Sequence, residues 1–235
     1  MGAETYLFDF DDTLVDSFQA RVDALEQVFN LTNISSDPSQ FMRDLEGRQL
    51  KIELEKLEQD LKQNLGLFHK YRSYYWNKKL GSIRLYPGVM ELLRELESSQ
   101  TRLGIVTQKV RKFEIDGNKA GALYELEELG IKDMFSVVVG FEDVTNYKPH
   151  PEGIMLALTY LQANPKGTLF IGDSSADMLA GQAAGCLTCH ARWGIPNQYA
   201  PCNQVESHLI ANSPQDLISL DLNTLNSEVT SNAQR

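Results

Sequence analysis

The stretch YLFDFDDTLVDS, Tyr6 to Ser17, decides how the rest of the chain is read. Its apolar, aromatic start, Tyr6 to Phe10, reads as a short buried strand. Asp9, Asp11 and Asp12 then crowd its end. Carboxylates this close repel one another, and beside a buried strand end they need a cation or a shared proton. Taken alone, the stretch could also be a plain acidic loop in which Thr13 or Asp16 caps a helix.

Working outward, four more apolar runs read as strands: Arg102 to Thr107, Phe135 to Gly140, Gly167 to Asp173 and Cys186 to Ala191. Amphipathic stretches with helical spacing lie among them, at Val89 to Glu97, Gly153 to Leu161 and Met178 to Ala184. Strands alternating with such helices predict an α/β fold whose parallel sheet is covered on both faces and collects chemistry at its carboxyl edge. The alternation fails between Ser17 and Leu85, which holds only helix-like segments at Phe18 to Leu31, Gln49 to Leu65 and Leu67 to Lys79. Leu50, Leu54, Leu57 and Leu61 form one apolar stripe on the middle segment. The expected organisation is a core of residues 1–16 and 86–217, a helical cap at 17–85, and a flexible tail at 218–235.

Composition narrows the function. Lys and Arg total 22 against 32 Asp and Glu, a net charge of −10, which argues against nucleic-acid polymers and anionic membranes as partners. No apolar run is long enough to span a bilayer, and the acidic N-terminus does not fit a signal peptide. Three cysteines without a ligand cluster suggest a reducing, cytoplasmic setting and no zinc at Cys186 and Cys189. A monomer or weak homodimer is expected.

A second acidic pair stands in GDSSADM, with Asp173 at a strand end and Asp177 one turn into the next helix. Helix capping is its bland reading. Two strand ends of one sheet, each offering carboxylates, make a better case for an oxygen-ligand Mg²⁺ site completed by phosphate and water.

DFDDT, Thr107 in LGIVT, Lys148 in NYKPHP, and Asp173 and Asp177 in GDSSAD occur in the order found in the haloacid dehalogenase-like phosphohydrolases, which the chain resembles from about Tyr6 to Gly194. The helical insert is similar to that family's helical-cap subgroup. LYPGV, KPHPE, FIGDSSADMLAGQAAG and RWG look like the phosphoglycolate phosphatase branch. The resemblance implies a Rossmann-like core and a Mg²⁺-dependent phosphomonoester hydrolase working through an aspartyl-phosphate. In it Asp9 is the nucleophile and Asp11 the acid/base. Asp9, the Asp11 backbone carbonyl and Asp173 are metal ligands, and Asp177 is an outer one. Thr107, Gln108 and Lys148 are phosphate contacts. The implied substrate is a small phosphorylated metabolite, with a phosphoglycolate-like acid favoured. Sugar-phosphate or nucleotide phosphatases, a pyrophosphatase and a β-phosphoglucomutase-like phosphotransferase are alternatives, and an idle protein-interaction module is the non-enzymatic one.

Several residues carry weaker expectations. Arg48, beside Gly47 in LEGRQ, is a candidate for a substrate anion, with Arg43 and Lys51 as weaker ones. Tyr71 to Trp76, YRSYYW, reads as packing. Lys109 reads as a surface base, His150 as a structural hydrogen-bonder and His190 as a packed histidine. Asp12 stands where these relatives commonly have Gly and is expected to point into solvent or a turn. The polar DGNKAG interruption, Asp116 to Gly121, is expected to add a loop near the cap.

Overall fold

The computed structural model describes residues 5–77, 83–194, 205–218, 220 and 222. The chain enters through β1 (Thr5–Phe8) and the two-residue β2 (Val15–Asp16). Four helices follow: α1 (Phe18–Thr32), α2 (Pro38–Asp44), α3 (Leu50–Leu61) and α4 (Leu67–Asn77). β3 (Arg84–Leu85) returns antiparallel to β2, pairing Val15 with Leu85 and Asp16 with Arg84. The Arg84 guanidinium donates to the Asp16 carboxylate at 3.0 and 3.1 Å, so the helical segment leaves and rejoins the core through one two-stranded neck.

The remaining elements are α5 (Val89–Ser98), β4 (Arg102–Val106), β5 (Phe113–Ile115), β6 (Asn118–Ala120), α6 (Ala122–Glu128) and β7 (Val137–Val139). Then come α7 (Glu152–Leu161), β8 (Thr168–Gly172), α8 (Ser175–Ala183), β9 (Leu187–Ala191) and β10 (Leu209–Ala211). Six strands form one parallel sheet in the order β10-β9-β8-β1-β4-β7. β1 is fully buried because the sheet is covered on both sides, which explains an apolar run without polar alternation. Tyr6 and Phe8 face one core with Val89, Leu92 and Leu93 of α5. Leu7 faces the other with Ile154, Ala157 and Leu158 of α7. β1 lies between β4 and β8, so the residues after these three strands meet at one edge.

Three expectations change. The leucine stripe of α3 is graded: Leu54 is buried and Leu50 and Leu57 are half-buried, while Leu61 is exposed at the last turn before the left-handed Lys62. The DGNKAG segment, expected as a loop near the cap, is the turn and second strand of the β5–β6 hairpin. Asp116 and Gly117 take φ of 51° and 78°, the positive values that a two-residue Asp-Gly turn between twisted strands requires. Its Phe113 ring meets Trp76 of α4 edge-on at 5.7 Å, and Asp116 accepts from Ser73 and Asn77. α2 was not anticipated, although its start is legible in DPSQ: Asp37 accepts from the Ser39 and Gln40 amides, and Pro38 takes the first helical position. Apart from Leu220 and Leu222, the expected flexible tail beyond residue 218 lies outside the described residues. No helix among the described residues is long and apolar enough to cross a membrane.

Candidate active site

Asp9 follows β1 directly, its amide donating to the Ile171 carbonyl of β8 at 2.8 Å. That bond ties the first acidic motif to the strand that delivers the second. Carboxylate oxygens of Asp9, Asp173 and Asp177 all lie within 4.8 Å of one another. Lys148 reaches them from the loop before α7: its Nζ donates to Asp9 at 2.7 Å, to Asp177 at 2.6 Å and to the Val106 carbonyl at 3.2 Å. Asp177 is also the third residue of α8. It accepts from the Ser174 hydroxyl and amide, while its own amide donates back to the Ser174 oxygen. Capping and site-building are therefore both properties of Asp177, because the two oxygens serve different partners.

Electrostatics follow from this crowding. Burial, opposed by Lys148 and reinforced by Asp177, pushes Asp9 up to about 7. Burial and then Asp12, Asp177 and Asp9 raise Asp173 well above the usual carboxylate range. Asp177 is buried and Asp9 and Asp173 are half-buried, and the Lys148 ammonium contacts only Asp9 and Asp177, so the group has more carboxylates than cations among its oxygen donors. These residues fit a Mg²⁺ ion, a hard cation that prefers oxygen ligands and leaves room for water and phosphate.

Asp11 belongs to a separate arrangement. Its Oδ1 accepts from the Ser17 hydroxyl at 2.6 Å and from Lys109 Nζ at 2.9 Å. Burial alone would raise its pKa, but Lys109, Arg21 and the Ser17 hydroxyl together hold it below the ordinary value. Lys109 is no surface base: its side chain is 12% exposed and pairs with Glu125 at 2.6 Å as well. Asp12 is not turned into solvent either. Its φ of 62° places it in the turn, in the left-handed region that favours glycine, but its carboxylate is buried against the Arg21 guanidinium of α1.

Thr107 is buried just past β4, its hydroxyl accepting from the Lys109 amide at 3.1 Å. The Gln108 side-chain amide donates to the Gly47 carbonyl, and the Gln49 side-chain amide donates to the Gln108 backbone carbonyl at 3.2 Å. In this arrangement Gln108 fastens the 46–49 loop to the core. Gly47 has a φ of 79°, and a Cβ there would fall 2.2 Å from the Ser174 hydroxyl, so only glycine lets this loop sit on the start of α8. Arg48 is exposed, with its guanidinium donating to the Asp44 and Leu45 carbonyls at the end of α2 at 2.7 and 3.1 Å. Arg43 donates to Ser39 and Gln40 on its own helix.

A cavity of about 410 Å³ lies between the helical segment and the strand ends. Asp9, Thr107, Lys148 and Asp173 line one side, and Arg72 and Trp76 of α4 line the other. Tyr71 and Tyr75 stack at 5.9 Å and are buried, so the aromatic stretch packs as expected while also walling the cavity. His150 accepts from the Glu152 amide at 3.2 Å, a loop-structural contact. His190 is half-buried at the cavity wall, and burial followed by Arg192 lowers its pKa. Cys186 and Cys189 are buried and free, with burial pushing both thiols up to about 12. Sequence reading passed over Arg21, Ser17 and Glu125. Ser17 and Arg21 lie one turn apart at the start of α1, a spacing that offers a signal. Glu125, in an acidic helix, gives none.

Residues 6–191 match the haloacid dehalogenase-like hydrolase family. The chain belongs to that family. Among curated relatives, the pyrophosphatase PpaX of Oceanobacillus iheyensis is 29% identical over 195 residues, covering 83% of this chain and 86% of that protein. A haloacid dehalogenase-like hydrolase from Streptococcus pneumoniae superposes with a TM-score of 0.75 at 26% identity, covering 92% of this chain and 97% of the other. The β-phosphoglucomutase of Clostridium difficile shares the fold, with a TM-score of 0.77 at 19% identity over 98% of this chain and 100% of that one. This haloacid dehalogenase-like hydrolase is a phosphatase with an α/β, Rossmann-like parallel sheet.

Proposed function

We propose that the protein is a Mg²⁺-dependent phosphomonoester hydrolase in which Asp9 forms an aspartyl-phosphate. The observation that carries this reading is the ammonium of Lys148 held between Asp9 and Asp177, beside Asp173. In the first step a carboxylate oxygen of Asp9 attacks phosphorus. The bond from phosphorus to the leaving oxygen breaks, and that oxygen takes a proton from Asp11, which binds it when the negative charge of the substrate phosphate opposes the pull of Lys109 and Arg21. In the second, Asp11 accepts a proton from water, the water oxygen attacks phosphorus, and the Asp9–phosphorus bond breaks to return the carboxylate. Lys148 and Thr107 contact phosphoryl oxygens, and Lys148 offsets negative charge building at phosphorus. Asp9, the Asp11 carbonyl and Asp173 would hold Mg²⁺, with Asp177 outside them, and the ion when bound supplies further charge neutralisation at the transferred group.

In this reading residues 17–85 are a cap over a core of residues 1–16 and 86–217. The cap selects the leaving group and excludes water once closed. The substrate is a small phosphorylated metabolite, with a phosphoglycolate-like acid as the first candidate. Pyrophosphate is the second reading, favoured by the relatives named pyrophosphatase. The test is phosphate release from a panel containing phosphoglycolate, pyrophosphate, sugar phosphates and nucleotides, with Mg²⁺ and with chelator. Turnover that survives chelation, or no turnover of any member, defeats the proposal.

A further inference from the structure

Lys109 holds a position that the phosphate chemistry does not use. An ammonium has three protons to donate, and three acceptors surround this one: Glu125 at 2.6 Å, Asp11 at 2.9 Å and the Tyr75 hydroxyl at 3.1 Å. Tyr75 in turn donates to the other oxygen of Glu125 at 2.8 Å, closing the group. The rings of Phe10, Tyr75 and Trp76 lie 5.0 to 5.5 Å from the Lys109 nitrogen. With its protons directed to these acceptors and aromatic rings packed round it, the ammonium is not offered to a substrate.

Two further features give the group a direction. Ser17 and Lys109 both donate to Oδ1 of Asp11, and no hydrogen bond from the described residues reaches Oδ2. Asp11 lines the cavity, so gripping one oxygen leaves the other to work there. Lys109 and Glu125 belong to the core, whereas Tyr75 belongs to α4 of the helical segment. The full set of contacts exists only while α4 lies against that part of the core.

We propose that Lys109 is a positioning residue that fixes Asp11 through Oδ1, and that Tyr75 makes this fixation depend on docking of the helical segment. The inference rests on the acid/base role proposed for Asp11. It extends that role by linking proton transfer to closure through residues that touch neither phosphate nor leaving group.

The test uses the full chain, p-nitrophenyl phosphate as an aryl substrate and glycerol phosphate as an alkyl one. Lys109→Met, Tyr75→Phe and Asp11→Asn are made singly, and the first two are also combined with Asp11→Asn. Mispositioning a catalytic group costs on the order of 10²-fold in rate, so Lys109→Met should lower kcat by about that factor while KM moves by less than about threefold. With the aryl substrate, phosphoenzyme formation needs no proton but its breakdown needs Asp11. Acid quenching should therefore trap more phosphoenzyme in Lys109→Met than in the parent protein, which a general loss of structure would not produce.

In the Asp11→Asn background, both Lys109→Met and Tyr75→Phe should cost less than about threefold more, because residues acting as a unit are not additive. Tyr75→Phe keeps the ring packing and decides the matter alone if Lys109→Met does not fold. Losses that multiply in the Asp11→Asn background, or a raised KM at unchanged kcat, overturn the positioning role. A parent protein that releases no phosphate and labels no Asp9 overturns the phosphatase reading instead.

Discussion

Lys148 and Asp9 are 139 residues apart in sequence, yet the lysine ammonium lies 2.7 Å from the aspartate carboxylate. The lysine side chain is 6% exposed, so its charge relies on Asp9 and Asp177 for the solvation it has lost, and Asp9 in turn relies on the lysine. Lys148→Met should lower kcat by roughly 10²–10³-fold, the cost typical of removing one preorganised transition-state donor. Lys148→Arg should restore little of it, because the planar fork does not fit a socket shaped for a point charge. Steady-state kinetics on protein verified as folded check both. Near-normal activity in Lys148→Met would remove Lys148 from the chemistry.

Asp9→Asn and Asp11→Asn should fail differently. An amide oxygen is a poor nucleophile, so Asp9→Asn should form no phosphoenzyme. Asp11→Asn should keep its fold and lose roughly 10²–10⁴-fold in rate, more with an alkyl than with an aryl leaving group. Rapid-quench trapping on the two substrates separates the roles. A phosphoenzyme in Asp9→Asn, or undiminished alkyl turnover in Asp11→Asn, contradicts the assignment.

The acidic cluster should make stability depend on pH and metal together. Asp9 sits at about 7 in the folded protein against an ordinary 3.8, so folding takes up a proton between those values. Stability contributed by the protonated group is full at low pH and is lost as pH rises towards 7. Chelator-treated protein should thus show a melting temperature that declines across this window. Millimolar Mg²⁺ should raise it, and more at pH 7.5 than at pH 5, because the ion needs the ionised carboxylate. Thermal unfolding with and without Mg²⁺ reads this directly. A Mg²⁺ effect independent of pH, or one that persists in Asp173→Asn, counts against the site.

Asp12 and Arg21 should be worth more as a pair than either is alone. Arg21→Met strands a carboxylate whose side chain is 6% exposed and should cost roughly 3 kcal/mol of stability, the lower end for a broken buried pair because Arg21 keeps 18% exposure. Adding Asp12→Gly removes the stranded charge and relaxes a residue held at a φ of 62°, so the double variant should regain most of the loss. Denaturant melts of the single and double variants test the coupling. Simple addition of two losses would mean that the pair is not the unit.

The sequence by itself determined the local features. Apolar runs placed five of the six sheet strands to within about two residues. DFDD and GDSSAD marked the acids, and the strandless interval marked the helical segment, because strand burial, capping and turn formation depend on neighbours in the chain. The β5–β6 hairpin was missed although its Asp-Gly turn is a local signal, and β10 has only three residues to announce it. What tertiary structure alone decided is which partner each polar side chain meets. Lys109 is a half-buried bridge between Asp11, Glu125 and Tyr75, Gln108 fastens a loop 61 residues away, and Asp12 is covered by Arg21. A charged residue's exposure follows from elements that arrive from elsewhere and can pay its desolvation cost with an opposite charge, and no spacing within one segment records their arrival.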